Sequence, residues 1–335
     1  MRFLWLPCAA LAVVPLALRA QAIDLTVHNA GLAIGDAPRV NGLRINFRDS
    51  NLQQVNGVNI TIWSPYEPAT GTVNGLALGL PVTGAKTING VAAGLFGAGA
   101  DASITGIGLG GLGIGGGGEL RGIMVGGLGV GSGGGMTGVS VGLIGVGSGG
   151  PMRGIQIGGI GVGSGGSVTG VLIGGIGAGA GGGVDGLAVG GIGVGSGSTF
   201  RGIGIGGIGV GAAGDATGLM IGGIGVGAGG TIKGLSIGGV GVGAPSLQGV
   251  VIGGLGAGGV AVHAIVLAGG YFKVEEHGRF DGGAVSAFND VRGDQHGLTI
   301  GIVNYARSLH GAQIGLINVS DNDGRRRVLP LISVR

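Results

Sequence analysis

The chain has 335 residues, of which 92 are glycine, while aromatics make up 4%, charged residues 10% and hydrophobic residues 44%. Glycine does not recur at every third place, which excludes a collagen triple helix, and the apolar residues hold fixed places in a repeat, which excludes generic disorder. The formal charge of +3 is not gathered into a basic patch with interleaved aromatics, so nucleic acid is excluded as a partner.

Residues 1–22 read as a secretory signal peptide. Arg2 is the basic start, Phe3 to Leu18 is apolar, and Ala20-Gln21-Ala22 is a small-x-small cleavage site. Cleavage after Ala22 removes Arg2, Arg19 and the only cysteine, Cys8, so 18 Lys+Arg fall to 16 against 15 Asp+Glu, a formal +1. A mature chain without cysteine has no disulfides, and its stability must come from its own packing.

Residues 23–41 are expected to form an N-terminal cap, and 42–263 a glycine-rich array. Coils begin at Gly42, Gly57, Gly75 and Gly90, and then at Gly106, Gly122, Gly138, Gly154, Gly170, Gly186, Gly202, Gly218 and Gly234, the last nine spaced by sixteen residues. Such a period is the mark of stacked, mutually supporting coils. With the periodic glycine as position 1, positions 5, 8 and 10 are also glycine in these nine coils, and position 6 is glycine except at Leu143. Positions 2 and 4 are aliphatic, as in Ile123 and Val125, and so are positions 7 and 9 in most coils, as in Ile160 and Val162.

Strand side chains alternate with period two. The parity change between 4 and 7 therefore predicts a bend at the paired glycines 5 and 6, with positive φ there, and an interior built from positions 2, 4, 7, 9 and 15. Position 3 (Gly108, Met124, Ser140, Gln156, Leu172, Ala188, Gly204, Met220, Ser236) is then expected to face outward. It would form a flat, uncharged ladder able to meet a surface polymer, a membrane surface or another copy of the chain.

Residues 264–318 continue the repeat in degenerate form with polar loops. There Asn289, Asn304 and Asn318 are expected at the position-8 glycine, holding a left-handed backbone. Residues 319–335 are the expected C-terminal capping strand, with Pro330 protecting its edge and Arg325 to Arg327 in a solvated turn. The fold class expected is all-β, a repeat β-solenoid of parallel stacked coils. The rival is an antiparallel β-barrel of hairpins.

The glycine patterns Gly106–Gly111 and Gly202–Gly207 match G-x-G-x-x-G, yet no helix follows to present its N-terminus to a pyrophosphate. Asp185 and Asp215 are isolated, unlike the aspartates of calcium-binding nonapeptides. The polar stretch 263–294 carries His263, Glu275, Glu276, His277, Asp281, Asp290 and Asp294. Its i, i+4 pairs His277/Asp281 and Asp290/Asp294 would align only on a helix, which Gly278, Gly282, Gly283 and Gly293 oppose. Asp321 to Gly324 reads as a turn rather than part of a calcium loop. No catalytic, cofactor-binding or metal residues are assigned.

The closing units Gly297-Leu-Thr-Ile-Gly-Ile-Val-Asn and Gly311-Ala-Gln-Ile-Gly-Leu-Ile-Asn resemble the bacterial surface-repeat family first recognised in leptospires, with units near G-x-Q-I-G-L-I-N. The likeness covers about residues 282–320. It implies a secreted or surface-exposed protein of undefined activity, without catalytic residues. The central coils are similar to head repeats of trimeric autotransporter adhesins, but show no heptad pattern. The expectation is an exported, non-enzymatic surface repeat protein, at the cell surface, in the outer membrane or extracellular, with the periplasm as an alternative. An adhesin-like binding module and an outer-membrane β-barrel are the other readings.

Overall fold

The computed structural model describes residues 22–65, 67–322 and 324–335; the expected signal peptide, apart from Ala22, lies outside them, as does Cys8. Among the described residues there are strands, bends and turns but no helix, and all the strands join one sheet. A central coil comprises a long strand, such as Glu119–Gly126, a bend at 127–128, a short strand, Gly129–Ser132, and a second bend at 133–134. Each strand pairs in parallel with its counterpart one coil away: Gly138 with Gly154 and Ser140 with Gln156 on the long strand, Val130 with Val146 on the short one.

The chain is thus a β-solenoid of about 18 turns with a 16-residue period. The antiparallel barrel is not formed. Among the described residues antiparallel pairing occurs at the two ends, between Ile23–Val27 and Ala30–Ile34, and between Ala312–Asn322 and Arg325–Val334. Arg325 to Arg327 are exposed, as expected, but they begin that last strand instead of forming a turn.

The interior differs from the expected one. Position 15 is buried throughout the array (Leu120, Met136, Phe200), and so is position 9 (Val130, Val194). Position 3, expected outside, is also inside: Met124 is 1% exposed, whereas Ile123 is 48%, Val125 38% and Leu128 47% exposed. The outward aliphatic rows are positions 2, 4 and 7. The reason is strand parity. One unbroken strand runs from position 15 through the periodic glycine to position 5, so a buried position 15 forces 3 inward and 2 and 4 outward. Three inward positions, 15, 3 and 9, fill the interior rather than five, position 3 varying from glycine to methionine, with serine or alanine at position 11 in the coils from Gly122 onward.

The glycines also act differently from expectation. Positive φ, between +105° and +134°, belongs to position 1 from Gly106 to Gly234, in the middle of the long strand. There a Cβ would also overlap the carbonyl of the glycine one coil back, as at Gly122 against Gly106. At positions 5 and 6 the bend exists, but the constraint is close approach: a Cβ on Gly126 would overlap the Gly129 carbonyl, and one on Gly127 that of Gly111. Positions 8 and 10 lie on the outside of the short strand, where a Cβ on Gly131, Gly147 or Gly163 would meet nothing within 4 Å.

Toward both ends the interior turns polar. At the N-terminal end Arg44 is fully buried at position 3, ion-paired with Asp36 at 2.6 Å and with Asp49, and donating to Asn59 Oδ1 at 2.9 Å. At the C-terminal end Asn289, Asn304 and Asn318 are buried. They do not occupy left-handed positions. Asn289 is in register with Phe272, and Phe272 with Ala257, so the asparagines stand at the inward position 9 after a one-residue shortening of the coil. Their amides form a ladder, Asn289 Nδ2 donating to Asn304 Oδ1 and Asn304 Nδ2 to Asn318 Oδ1, both at 2.7 Å.

Candidate functional site

The stack turns every repeat position into a row on the surface, so the outer rows decide what the rod presents. The residue before each periodic glycine faces out and forms a polar row: Asn41, Asn56, Asn74 and Asn89 near the start, then Arg121, Thr137, Arg153 and Thr169. The four asparagine amides are hydrogen-bonded in series at 2.7–2.9 Å. Past the periodic glycine come the apolar rows 2 and 4, the bend, and the apolar row 7, which includes Leu128, Ile144, Ile160, Ile176 and Ile192. The short strand that follows shows only its two glycine rows. One side of the rod is therefore wettable and the adjoining one aliphatic, over the length of the regular array.

In the C-terminal coils the polar row becomes titratable. His263, Asp281 and His296 are in register on successive coils. His263 Nε2 lies 2.9 Å from Asp281 Oδ2, and His296 Nδ1 lies 3.8 Å from Oδ1. The His296 ring stacks on His310 with centroids 4.9 Å apart. Arg279 Nε donates to Asp281 Oδ2 at 2.7 Å. That bond, with the guanidinium charge and despite partial desolvation, holds the Asp281 carboxyl below the usual carboxylate range. A carboxylate so held is a weak proton acceptor and stays ionised at neutral pH, which suits a surface ion-pair ladder better than general acid or base work.

The sequence pairs do not assemble. His277 sits exposed at φ 58° in the irregular segment between Val274 and Arg279, on a strand and not on a helix. Asp294 is in register with Arg279, while Asp290 is buried and engages Tyr271 and Arg292. Among the described residues no three His, Cys, Asp or Glu side chains are grouped to hold a metal ion. Both G-x-G-x-x-G stretches are strand followed by a bend and another strand. Among the described residues no helix is long and apolar enough to cross a membrane.

A second feature escaped the sequence reading. At the end of the glycine face, Gly256 and Gly258 are in register with Tyr271 and Lys273, so the bare rows acquire side chains. Beyond that step Tyr271, Phe288 and Tyr305 line a recess of about 740 Å³ with Arg292, Arg307 and Asp290. The Tyr271 and Phe288 rings are 5.4 Å apart and inclined at 39°. Asp290 Oδ2 accepts from the Tyr271 hydroxyl at 2.6 Å and from Arg292 Nε at 3.0 Å, fixing both side chains. Burial first, then the Asp290 bond and charge, push the Tyr271 hydroxyl up to about 12, so the phenol is neutral at any physiological pH.

Both features left a signal. His263, Asp281, His296 and His310 each stand directly before the residue at position 1, and Tyr271 and Lys273 flank the inward Phe272. Comparison of the chain with protein-family models, with curated proteins and with solved structures returns no match.

Proposed function

We propose that the chain is an exported, non-enzymatic structural or interaction protein of the bacterial cell surface or outer membrane, working through its outer faces. The observation that carries this reading is the outward placement of rows 2, 4 and 7. A water-soluble monomer seldom exposes a contiguous apolar patch of more than a few hundred Å², and this one follows the rod for coil after coil. The signal-like residues 1–22 and the closing units that resemble surface repeats support the location. The test is fractionation of cells expressing the full chain, with protease applied to intact cells. Recovery outside the inner membrane in a protease-accessible form is expected; an unprocessed cytosolic chain would contradict it.

The C-terminal recess favours a second reading, an adhesin-like binding module. Aromatic rings beside arginines and carboxylates are a common way to hold a hydroxylated, partly charged ligand such as a saccharide. Binding of the full chain to surface polysaccharide, lost in Tyr305→Ala and Arg307→Ala with the fold retained, would support that reading; equal binding by the variants would remove the recess from it.

A further inference from the structure

We infer that the aliphatic side of the rod is an interface between two copies of this chain, related by a two-fold axis. The inference rests on the interaction reading above and names its partner. Its first support is size. About the axis given below, rows 2 to 7 overlap over the ten coils that begin at Gly42 to Gly186, a strip roughly 48 Å long and about 16 Å wide from strand geometry. That is on the order of 800 Å² per copy, the area that a standard stable complex buries on each partner.

The second support is period. The side chains of these rows repeat at the coil spacing of about 4.8 Å. A partner matches such ridges over their whole length only if it carries the same spacing, and another copy does so by construction.

The third is a knob and a socket on the same molecule. Leu143 stands where the neighbouring regular coils have the position-6 glycine, and at 73% it is the most exposed aliphatic residue of the array. Earlier coils hold an apolar groove of about 600 Å³, lined by Leu109 and Val125 of row 4, Leu80 and Leu95 at position 6, and Gly110 and Gly111 between. An axis crossing between the coils that start at Gly106 and Gly122 brings the Leu143 of each copy to the groove of the other. Such a contact is isologous and closes as a dimer. The polar row, with Arg121, Thr137 and Arg153, remains at the rim in water, the usual division between an interface core and its edge.

The test is sedimentation velocity of the full chain without detergent at micromolar concentration, beside two variants. Leu143→Gly restores the residue of the repeat and leaves the fold undisturbed. Leu128→Lys/Ile144→Lys/Ile160→Lys places charges on row 7, and the serine version of the same triple serves if the lysine version does not fold. Thr137→Lys/Thr169→Lys on the polar row is the control.

A wild-type dimer, a weaker dimer for Leu143→Gly by tenfold or more, a monomeric folded triple variant and a dimeric control are expected. A folded triple variant that stays dimeric overturns the inference, as does an open-ended fibre or a monomeric wild type. A monomer that floats with phosphatidylethanolamine and phosphatidylglycerol vesicles gives this side to a membrane and leaves the interaction reading standing. A monomer that binds neither vesicles nor polysaccharide removes both.

Discussion

The Met124 sulfur lies 2.7 Å from the point where a Cβ on Gly108 would stand, so two residues in register on adjacent coils share one volume. Gly204 and Met220 repeat the relationship, with Phe200 and Val210 closing the same space. The non-identical residues of position 3 are therefore size-matched across layers. Gly108→Val is expected to destabilise the chain by about 1–3 kcal/mol through overpacking. Met124→Ala should offset part of that loss in the double variant, with a coupling of roughly 0.5–3 kcal/mol. Chemical denaturation of the four proteins measures it; strictly additive effects would mean that the two sites do not share space.

Inside and outside can be compared on one strand. Met124→Ser removes a buried side chain and leaves a hydroxyl in an apolar layer, at an expected cost of about 2–5 kcal/mol. Ile123→Ser, on the neighbouring half-exposed site, is expected to cost about 1 kcal/mol or less in a monomer. Thermal melts of the two variants rank them.

Asn304 accepts from Asn289 and donates both to Asn318 and to the Ile314 carbonyl. Asn304→Ala leaves the Asn289 amide short of an acceptor in a buried site and is expected to cost about 1–3 kcal/mol. Asn304→Asp, which adds a buried charge, should be worse at neutral pH and recover as the solution is acidified. Denaturant midpoints for both variants at two pH values check this.

Burial alone would raise the Asp36 carboxyl, but bonds from Ser50 and Asn51 and the Arg44 charge outweigh it and hold the group below its ordinary value of 3.8. A folded-state pKa below the unfolded one favours the folded chain above pH 3.8, and that contribution is lost as pH falls through the lower folded value. The melting temperature is therefore expected to drop on acidification below about pH 4, and Asp36→Asn should flatten that part of the curve. An unchanged slope in Asp36→Asn would exclude this carboxyl as the source.

Much of this fold is legible in the sequence, because the spacing of Gly106, Gly122 and their successors sets coil length and register at once. The inside and outside of the long strand were legible too, but only by giving Leu120 and its equivalents priority over Ile123 and Val125. Those aliphatic residues read as core in water, and that habit fails for a chain that keeps its apolar rows outside. The asparagine ladder was masked by the one-residue shortening of the last coils, which makes an inward position look like the glycine before it. Tyr271 and Lys273 on either side of Phe272 mark where the aromatic recess begins, but its lining depends on the irregular segment from Glu275 to Gly278 and on the register of coils far apart in sequence.

The central claim is that positions 2 and 4 face out while 3 faces in. Maleimide labelling of single cysteines in a Cys8→Ser background tests it most directly, on coils away from the inferred two-fold axis. Ile203→Cys and Ile205→Cys are predicted to react under native conditions at rates near those of the denatured chain, and Met220→Cys to be protected until the chain unfolds. Protection of the first two with rapid labelling of Met220→Cys would contradict the account and return the aliphatic rows to the interior.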